Sequence, residues 1–477
     1  MSSVSELFPA GGGDNTIDMV ASGTLPNGSP VVLKADGTVE VVAESAITQS
    51  IPAGSIATFN SVAVSFLSLT FLTSDKFVLA YKISTGSKAI VGTVSGSSIT
   101  FGTEYTFNSS ASYGISISKD ESTSDTFVIF YRDAGNSYYG TAIAGTVSGT
   151  VITFGTATVF VSASADYISS DSSSSGSIVM CWNSTSGVGD SKLVTVSGTT
   201  ITLGSTYAFK SSGFGFTTSV SFIDATSFVV AYSASSSGRA KVGQVSGTTL
   251  TYGTEVTFHS TGWLSSGHIS YLGNSTDVII EFKDDTTGYG KAIVGTVSSG
   301  TTISFGSSYN YYSSSSSSHA FGFADGNQKC VLFYPGPSYG KIIVATASGT
   351  TLSFGTAVSI NSVSTEYIGA AFTDAGKFVA AYKDNTNADG EAFVGQVSAT
   401  STNLTSTNLL GINKKAAVDG ATVAIETLGG YVDNQSGLTI GSDYYVAGDG
   451  TLTTTSTDNV RLGRAVTATS INIRNYV

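Results

Sequence analysis

The sequence is poor in charge, in proline and in cysteine. Only 11% of its 477 residues are charged, whereas 41% are hydrophobic. Such a chain has apolar material for a large core and too few charges to stay disordered. It has 6 prolines and 55 glycines, and Ser, Thr, Val, Tyr and Phe supply much of the rest. Because these residues favour strands and turns, we expect an all-β protein with few helices.

The chain also lacks basic clusters and long apolar runs. It carries 33 acidic against 21 basic residues, a formal charge of −12, so we expect no nucleic-acid partner. The most apolar stretch, residues 62–81, is interrupted by seven polar residues, which indicates strands and not a membrane insertion. The N-terminus has no basic start and no apolar segment, which predicts folding in the cytoplasm.

Internal repetition is the main signal that the sequence does contain. A hairpin of the form Gly-Thr-Val-Ser-Gly…Ile-Thr-Phe-Gly-Thr recurs, and its Phe or equivalent returns about every 50 residues, at Phe101, Phe154, Leu203, Tyr252, Phe305 and Phe354. Each hairpin follows an apolar run, and there are seven such runs: 77–81, 127–131, 178–182, 228–232, 278–282, 330–334 and 378–382. Strand composition at this period predicts propeller blades or a β-solenoid.

Four strands fit within each repeat. In one copy they are strand A at 113–118, B at 127–132, C at 141–147 and D at 151–160. Four antiparallel strands per repeat predict a seven-bladed β-propeller. A parallel β-helix is the less favoured alternative, because its coils are shorter and would not keep the tight C–D hairpin.

The two ends of the repeat array predict how the ring closes. The seventh copy has no clear strand D, whereas Ile56-Ala57-Thr58-Phe59 lies where an unpaired strand D would stand. We therefore expect this N-terminal strand to complete the last blade, which leaves no free sheet edge. Cys181 and Cys330 fall in strand B of different repeats, which predicts two buried free thiols.

The flanks of the repeats predict a second, smaller domain. Residues 23–42 and 437–452 each resemble a hairpin, with turns at Asp36-Gly37 and Asp449-Gly450. Each flank is too short to fold alone, so we expect them to pair. The predicted organisation is a Gly-rich attachment segment at 1–17, a small β-domain from 18–50 and 406–477, and the propeller at 51–405.

The flanks resemble a module of tailed-bacteriophage virion proteins, notably tail-fibre and head-decoration proteins of marine phages. The resembling residues are 23–42, Leu410-Gly411-Ile412, Gly429-Gly430, 437–452, Leu462-Gly463-Arg464-Ala465, and an opening Ser5-Glu6-Leu7-Phe8-Pro9 followed by Gly11-Gly12-Gly13. The resemblance implies a virion location, attachment to other virion proteins through the small domain and the N-terminal segment, a propeller displayed outward, and a homo-oligomer. It carries no catalytic motif.

Catalytic and metal-binding patterns are scarce. The three histidines occupy no repeated position and no zinc spacing occurs, so we expect no metal and no cofactor. A glycosidase would need two carboxylates around a sugar, but Asp133, Asp284 and Asp384 share one repeat position, which indicates solvated turns. Glu281 lies inside an apolar strand, which favours a paired structural carboxylate over a catalytic one. We expect no enzymatic activity, and no catalytic residue is predicted.

Binding remains the open possibility for the propeller. The B–C and D–A loops emerge on one face and vary between repeats. Aromatic rings beside hydroxyls suit sugar or protein surfaces, and the candidate ligand-binding residues on these loops are Tyr138, Phe214, Trp263, His268 and Tyr312. The leading hypothesis is a non-enzymatic virion structural protein, in the tail or capsid, that contacts a host-surface glycan or protein. A free lectin-like module and a depolymerase are the alternatives.

Overall fold

The computed structural model describes residues 15–43, 49–50, 55–184, 187–260, 264–273, 276–298, 300–313, 321–324, 328–335, 339–360, 364–373, 376–397, 402–456 and 459–474. Apart from a 3-10 turn at Ala134–Asn136, the regular elements among these residues are β-strands. The predicted all-β fold is confirmed. Two compact units make up the chain, Thr48–Ser398 and a second unit that combines Met1–Ile47 with Ala399–Val477.

The smaller unit contains two five-stranded sheets. In the first, strands from both flanks alternate in the order β1-β38-β37-β2-β3, with bounds β1 (Thr16–Val20), β2 (Pro30–Leu33), β3 (Val39–Val41), β37 (Leu409–Asn413) and β38 (Thr422–Glu426). The second has the order β39-β43-β42-β40-β41, with bounds β39 (Tyr431–Val432), β40 (Asp443–Val446), β41 (Leu452–Thr453), β42 (Val460–Thr467) and β43 (Ser470–Ile473).

Two predicted boundaries differ from those of the structure. The expected end of the attachment segment at residue 17 falls inside β1, which pairs with β38. Residues 402–405, which were expected in the propeller, belong to the smaller unit instead. The Asn403 side chain accepts a hydrogen bond from the Ala43 amide at 2.9 Å, and Leu404 packs into the core of this unit. Most of the predicted attachment segment, residues 1–14, lies outside the described residues.

The larger unit is a β-propeller of antiparallel A–B–C–D repeats, consistent with the seven blades expected. The blades are: first, β6 (Ser65–Phe71), β7 (Lys76–Ile83), β8 (Gly86–Ser95), β9 (Ser98–Phe101), β10 (Tyr105–Asn108); second, β11 (Ser112–Lys119), β12 (Thr126–Asp133), β13 (Tyr139–Ser148), β14 (Val151–Phe154) and the start of β15 (Thr158–Ser172); third, the rest of β15, β16 (Ile178–Ser184), β17 (Gly189–Ser197), β18 (Thr200–Lys210).

The remaining blades repeat this arrangement. They are: fourth, β19 (Phe214–Phe222), β20 (Ser227–Ala234), β21 (Ser237–Ser246), β22 (Thr249–Tyr252), β23 (Val256–His259); fifth, β24 (Leu264–Tyr271), β25 (Asp277–Asp284), β26 (Tyr289–Ser298), β27 (Thr302–Phe305), β28 (Tyr309–Tyr312); sixth, β29 (Phe321–Ala324), β30 (Lys329–Pro335), β31 (Gly340–Ser348), β32 (Thr351–Phe354), β33 (Val358–Ser359); seventh, β34 (Thr365–Phe372), β35 (Lys377–Asp384), β36 (Gly390–Val397), with β4 (Gln49–Ser50) and β5 (Ala57–Asn60).

Strand D is divided in most blades, which differs from the single strand expected at 151–160. In the second blade, β14 and β15 pair with different parts of β13 and are separated by residues 155–157. The break follows from a close approach between blades. A Cβ atom on Gly155 would lie 2.2 Å from the carbonyl oxygen of Thr199 in the next blade, so the chain can bend past its neighbour only at a glycine.

The last blade takes its outer strands from the N-terminal side of the repeats. Both β4 and β5 pair antiparallel with β36. Phe59 then packs in one hydrophobic cluster with Leu79 of the first blade and Val379 of the seventh. The ring is therefore joined by backbone hydrogen bonds and by a shared core, which leaves no open edge between the first and last blades.

Strands B and C match their side-chain volumes across the sheet. Where the apolar run of strand B opens with Phe, the facing residue of strand C is Gly; the pairs are Phe77–Gly92, Phe127–Gly145, Phe228–Gly243 and Phe378–Gly395. Where this run opens with a smaller residue, the partner can be larger, as in Ile178–Val194 and Cys330–Ala345. Each Phe ring lies over the missing side chain, so the repeated Gly is a packing requirement. Cys181 and Cys330 are buried free thiols, as predicted.

The innermost strands share hydrogen bonds from one blade to the next. Serine hydroxyls at one repeat position, Ser68, Ser116, Ser169 and Ser219, each accept from a backbone amide of the following blade, those of Ile117, Ser170, Val220 and Ile269. These amides belong to sheet edges that have no strand partner on that side. The inner-strand serines therefore satisfy the donors that an edge strand would otherwise leave unpaired.

Replacing Ser219 with alanine tests this role. Ser219 is buried and accepts from the Ile269 amide at 3.1 Å. Its removal leaves a buried N–H without an acceptor, so we expect the free energy of unfolding to fall by about 1–3 kcal/mol. Urea denaturation of the two proteins measures the difference. A Ser219→Ala variant as stable as the parent protein would contradict the role, and Ser124→Ala, at an exposed position of an A–B loop, serves as the control.

Candidate functional site

The inner strands of the propeller enclose a central channel. Its volume is about 940 Å³, and it is lined by residues of β6, β11, β15, β19, β24 and β34. The middle of the channel is dominated by serine and aliphatic side chains. Two carboxyl groups also line it, those of Glu121 and Asp171, and the Asp171 carboxyl accepts from the Phe222 amide at 2.7 Å. Burial raises the pKa of Asp171 to about 6, although its hydrogen bond from Phe222 lowers it.

One mouth of the channel is surrounded by aromatic side chains. This face carries the D–A and B–C loops, and we name the channel-mouth aromatics as Phe66, Tyr113, Tyr138, Tyr167, Phe216 and Tyr367. Three of them are strongly exposed: Tyr138 at 46%, Tyr167 at 41% and Phe216 at 49%. Exposed rings are costly to hydrate, and a group of them around a concave opening is typical of a binding surface.

The channel-mouth aromatics contact one another in two groups. The ring centroid of Phe66 lies 5.4 Å from those of both Tyr113 and Tyr367, and Tyr113 lies 6.2 Å from Tyr138. On another side of the mouth, Tyr167 and Phe216 are 6.4 Å apart in an edge-to-face arrangement. These distances are within the range of favourable ring pairs, so the rings hold one another in place at the opening.

Four of these aromatics occupy a strained backbone position: Tyr138, in a turn with a φ of 61°, and three others at a β-bulge. The inner strands β6, β11, β15 and β34 each have a β-bulge, and the same bulge position carries Phe66, Gly114, Tyr167 and Tyr367, with φ values of 53°, 57°, 52° and 50°. Glycine adopts such angles without cost, whereas a residue with a side chain loses roughly 1–2 kcal/mol. Strain retained at four aromatic positions around one channel mouth is an indication of function.

Basic side chains alternate with these rings. The ammonium of Lys82 lies 5.8 Å from the Phe66 centroid and 5.0 Å from that of Tyr113. The guanidinium of Arg132 lies 5.2 Å from Tyr113 and 5.4 Å from Tyr138, and it also forms an ion pair with Asp166. The mouth therefore presents flat apolar rings and cations together.

The five sequence-predicted residues are not brought together in one site. Tyr138 lies at the mouth, and His268 lines the channel in β24. Phe214 is buried against Phe209 and Tyr232, so its expected place in a ligand-binding loop is wrong. The cause is a short D–A turn: β19 already begins at Phe214. Trp263 lies outside the described residues.

Tyr312 belongs to the packing between blades. Its ring is 4.7 Å from that of Tyr334, it is half-buried, and it packs against the core shared by the fifth and sixth blades. This position in β28 gives it a structural role that its place in a serine-rich segment did not indicate.

The carboxylates considered for catalysis have structural partners. Asp133 accepts from the Gly135 amide at 2.9 Å, a turn contact. Asp284 and Asp384 are also in turns but are 1% and 5% exposed, so the expected solvation is wrong for both. Hydrogen bonds from the loop amides of Thr286 and Thr386 offset the cost of burying these two carboxylates. Glu281 accepts from the Tyr311 hydroxyl at 3.1 Å in the core, as expected of a paired structural carboxylate.

The described residues contain neither a candidate metal centre nor a candidate membrane-spanning helix. No cluster of three or more histidine, cysteine, aspartate or glutamate side chains in this part of the chain could hold a metal ion. Nor does any helix in the same residues have the length and apolar character needed to cross a membrane.

The residues that sequence reasoning missed are the aromatics at the bulge. Phe66, Tyr167 and Tyr367 recur at the start of strand A, and this recurrence is present in the sequence. It was hidden because Gly114 interrupts the series and because the apolar strand B is the stronger pattern. Aligning the repeats on strand B and then comparing strand A would have found them.

Substitution of Tyr167 provides a test of the backbone strain. Tyr167→Ala and Tyr167→Gly both remove the ring, but only glycine adopts a φ of 52° without cost. We expect the glycine variant to be about 1 kcal/mol more stable than the alanine variant, opposite to the usual order in a strand. Thermal denaturation of both variants measures this, and an alanine variant equal to or above the glycine variant would contradict it.

Comparison with known proteins gives structural likenesses only. No family model and no curated protein matches the sequence. Among solved structures, a protein from Lactobacillus plantarum has a TM-score of 0.46 at 10% identity, covering 63% of this chain and 86% of its own. The WD40 domain of Toxoplasma gondii coronin has a TM-score of 0.46 at 8% identity, covering 75% and 88%.

A third likeness is to a Hadza microbial sialidase. Its TM-score is 0.42 at 8% identity, with 76% of this chain and 69% of that chain covered. Likenesses at this level carry no argument about activity or ligand. The chain is a β-propeller on the strength of its strand pairing.

Proposed function

We propose that this protein is a non-enzymatic recognition protein whose propeller binds a carbohydrate at the mouth of the central channel. The observation that carries the proposal is the set of channel-mouth aromatics, four of them in strained backbone positions and three strongly exposed. Flat apolar rings pack against the apolar faces of sugar rings, and nearby hydroxyl and charged groups can form hydrogen bonds with the sugar hydroxyls. Retained strain is consistent with selection for binding in place of stability.

The lack of an assigned catalytic pair fits a binding role. Each carboxylate that the sequence offered for catalysis accepts a hydrogen bond from a loop amide; these are Asp133, Asp284 and Asp384. A glycosidase would need two carboxylates on either side of a bound sugar. We therefore propose binding without turnover, and incubation of bound polysaccharide followed by a reducing-end assay tests it: new reducing ends would favour a depolymerase.

A glycan array on the full chain tests the binding proposal. We expect saturable binding by the parent protein and a loss of at least about tenfold in affinity when the exposed ring of Tyr167 is removed as Tyr167→Gly, the variant least affected in stability. Val151→Ser, an exposed change in the C–D turn on the opposite face, is the matched control and should bind normally. Absence of binding to any glycan would overturn the proposal.

We also propose that the protein is a virion structural component, in the tail or the capsid, assembled after synthesis in a host cytoplasm. Two observations support this: the resemblance of the flanks to phage fibre and decoration proteins, and the interleaving of both flanks in one small sheet. That unit and the N-terminal segment would contact other virion proteins, in a closed homo-oligomer. Imaging of particles labelled with an antibody to this chain is the test, and unlabelled virions would refute it.

A further inference from the structure

The channel mouth contains an alternating series of rings and cations. In order it runs Phe66, Lys82, Tyr113, Arg132 and Tyr138, and each cation lies within 6 Å of two rings. Contact with two rings restricts a long, flexible side chain and so reduces the entropy that it would lose on binding an anion. The series therefore holds two positive charges in set positions beside an aromatic surface.

Lys82 differs from the other cations at its repeat position. The strand pairing aligns it with Arg132, Lys283 and Lys383. Arg132 forms an ion pair with Asp166, Lys283 with Asp285 at 3.2 Å, and Lys383 with Glu366 at 3.3 Å. In the described part of the chain, Lys82 has no acidic partner within ion-pair distance, and its ammonium lies over the rings of Phe66 and Tyr113.

The negative charge of the whole chain makes a lysine without a carboxylate partner unusual. With a formal charge of −12, the protein has more carboxylates than cations, and most lysines near the mouth are paired with one of them. A half-buried lysine whose ammonium lies over two rings and has no carboxylate partner can bind an anion from solution. The nearest rings supply a surface for the uncharged part of the same ligand.

We propose that the channel mouth selects an acidic saccharide, with the carboxylate or sulfate group bound by Lys82 and the sugar ring packed on Phe66 or Tyr113. The inference rests on the proposed carbohydrate binding and specifies its ligand class. Arg132 contributes less, because Asp166 already neutralises its charge. Tyr138 and Tyr167 extend the aromatic surface to neighbouring sugars of a polymer.

Paired polymers that differ only in charge test the proposal. The full chain is immobilised and its binding to dextran sulfate, dextran, polygalacturonic acid and methyl-esterified polygalacturonic acid is measured by biolayer interferometry. We expect each acidic polymer to bind at least about tenfold more tightly than its neutral counterpart, with affinity falling as ionic strength rises.

Two lysine variants assign the preference to one residue. Lys82→Gln should reduce the affinity for acidic polymers by about fivefold or more, and Lys82→Arg should restore most of it. Lys283→Gln, at the same repeat position in another blade, is the matched control and should bind like the parent protein. Equal melting temperatures of the variants exclude unfolding as the cause.

Each other outcome has a separate meaning. Equal binding of acidic and neutral polymers, still lost in Tyr167→Gly, would overturn the acidic preference and leave the proposed function standing. No binding to any polymer or array glycan would overturn both. Binding of single-stranded poly(dT) as tight as that of the acidic polymers, and equally dependent on Lys82, would overturn the saccharide class, because the mouth would then be a general polyanion site.

Discussion

Replacing Asp284 with alanine is expected to lower the free energy of unfolding by about 3–5 kcal/mol, the usual cost of removing one partner of a buried ion pair. Asp284 accepts from the Lys291 ammonium at 2.9 Å and from the Thr287 hydroxyl at 2.9 Å, and its carboxylate is 2% exposed. His259 Nε2 lies 3.5 Å from the same carboxylate. Without Asp284, the partly buried Lys291 has lost its counter-charge.

The same group predicts a dependence of stability on pH. Burial raises the pKa of Asp284, but the hydrogen bonds from Lys291 and Thr287 outweigh it, so the pKa falls to about 2. This is below the value of about 3.9 for an unfolded aspartate. Asp284 therefore stabilises the fold fully above the unfolded pKa, and its contribution disappears as the pH falls from about 4 towards 2.

Denaturant unfolding at neutral and at acidic pH tests both statements. The difference between the parent protein and Asp284→Ala should be large at pH 7 and should shrink at about pH 2. Asp384→Ala is the matched control, because Asp384 is the equivalent residue of the seventh blade and has no cation partner among the described residues. It should lose only a turn hydrogen bond, about 1–2 kcal/mol. A difference that is the same at both pH values would contradict the ion-pair account.

Replacing Gly243 with valine is the second large expected effect. A Cβ atom at Gly243 would lie 2.2 Å from the ring of Phe228, and a valine adds two further methyl groups. Both residues are in a close-packed sheet interior, where overpacking costs about 1–3 kcal/mol or more. We expect a loss of at least about 3 kcal/mol in the free energy of unfolding.

The third blade supplies the compensating change for this substitution. There, Ile178 and Val194 occupy the positions of Phe228 and Gly243. The double variant Phe228→Ile with Gly243→Val should therefore recover a large part of the loss, and a double-mutant cycle by urea denaturation measures the coupling. Strictly additive effects would show that the two positions do not share volume as we describe.

The repeated part of the fold was accessible from the sequence because it depends on burial. Strand B is apolar on both faces, and its seven copies have similar compositions. The sequence therefore predicts both the repeat length and a buried strand at this position. The turn glycines of the hairpin also recur. Strand pairing places the orphan strand Ala57–Asn60 against β36, in line with the absence of a fourth strand in the last copy.

The candidate site was largely inaccessible because it depends on backbone geometry. Tyr138 was found as a loop aromatic, but Phe66, Tyr167 and Tyr367 are inside strands, and only the bulge turns them towards the mouth. No propensity predicts a positive φ for an aromatic residue. Phe214 was misplaced for the opposite reason, because a short turn brings it into the core when its neighbours in sequence suggest a loop.

The inner-strand serines have a consequence for how the propeller can evolve and unfold. The serine hydroxyl of one repeat accepts a hydrogen bond from a backbone amide of the next repeat. Removing one repeat would therefore leave backbone N–H groups of its neighbour without an acceptor. We therefore expect the blades to unfold together, in a single cooperative transition. Duplicating or deleting one unit would require the junction to be rebuilt on both sides at once.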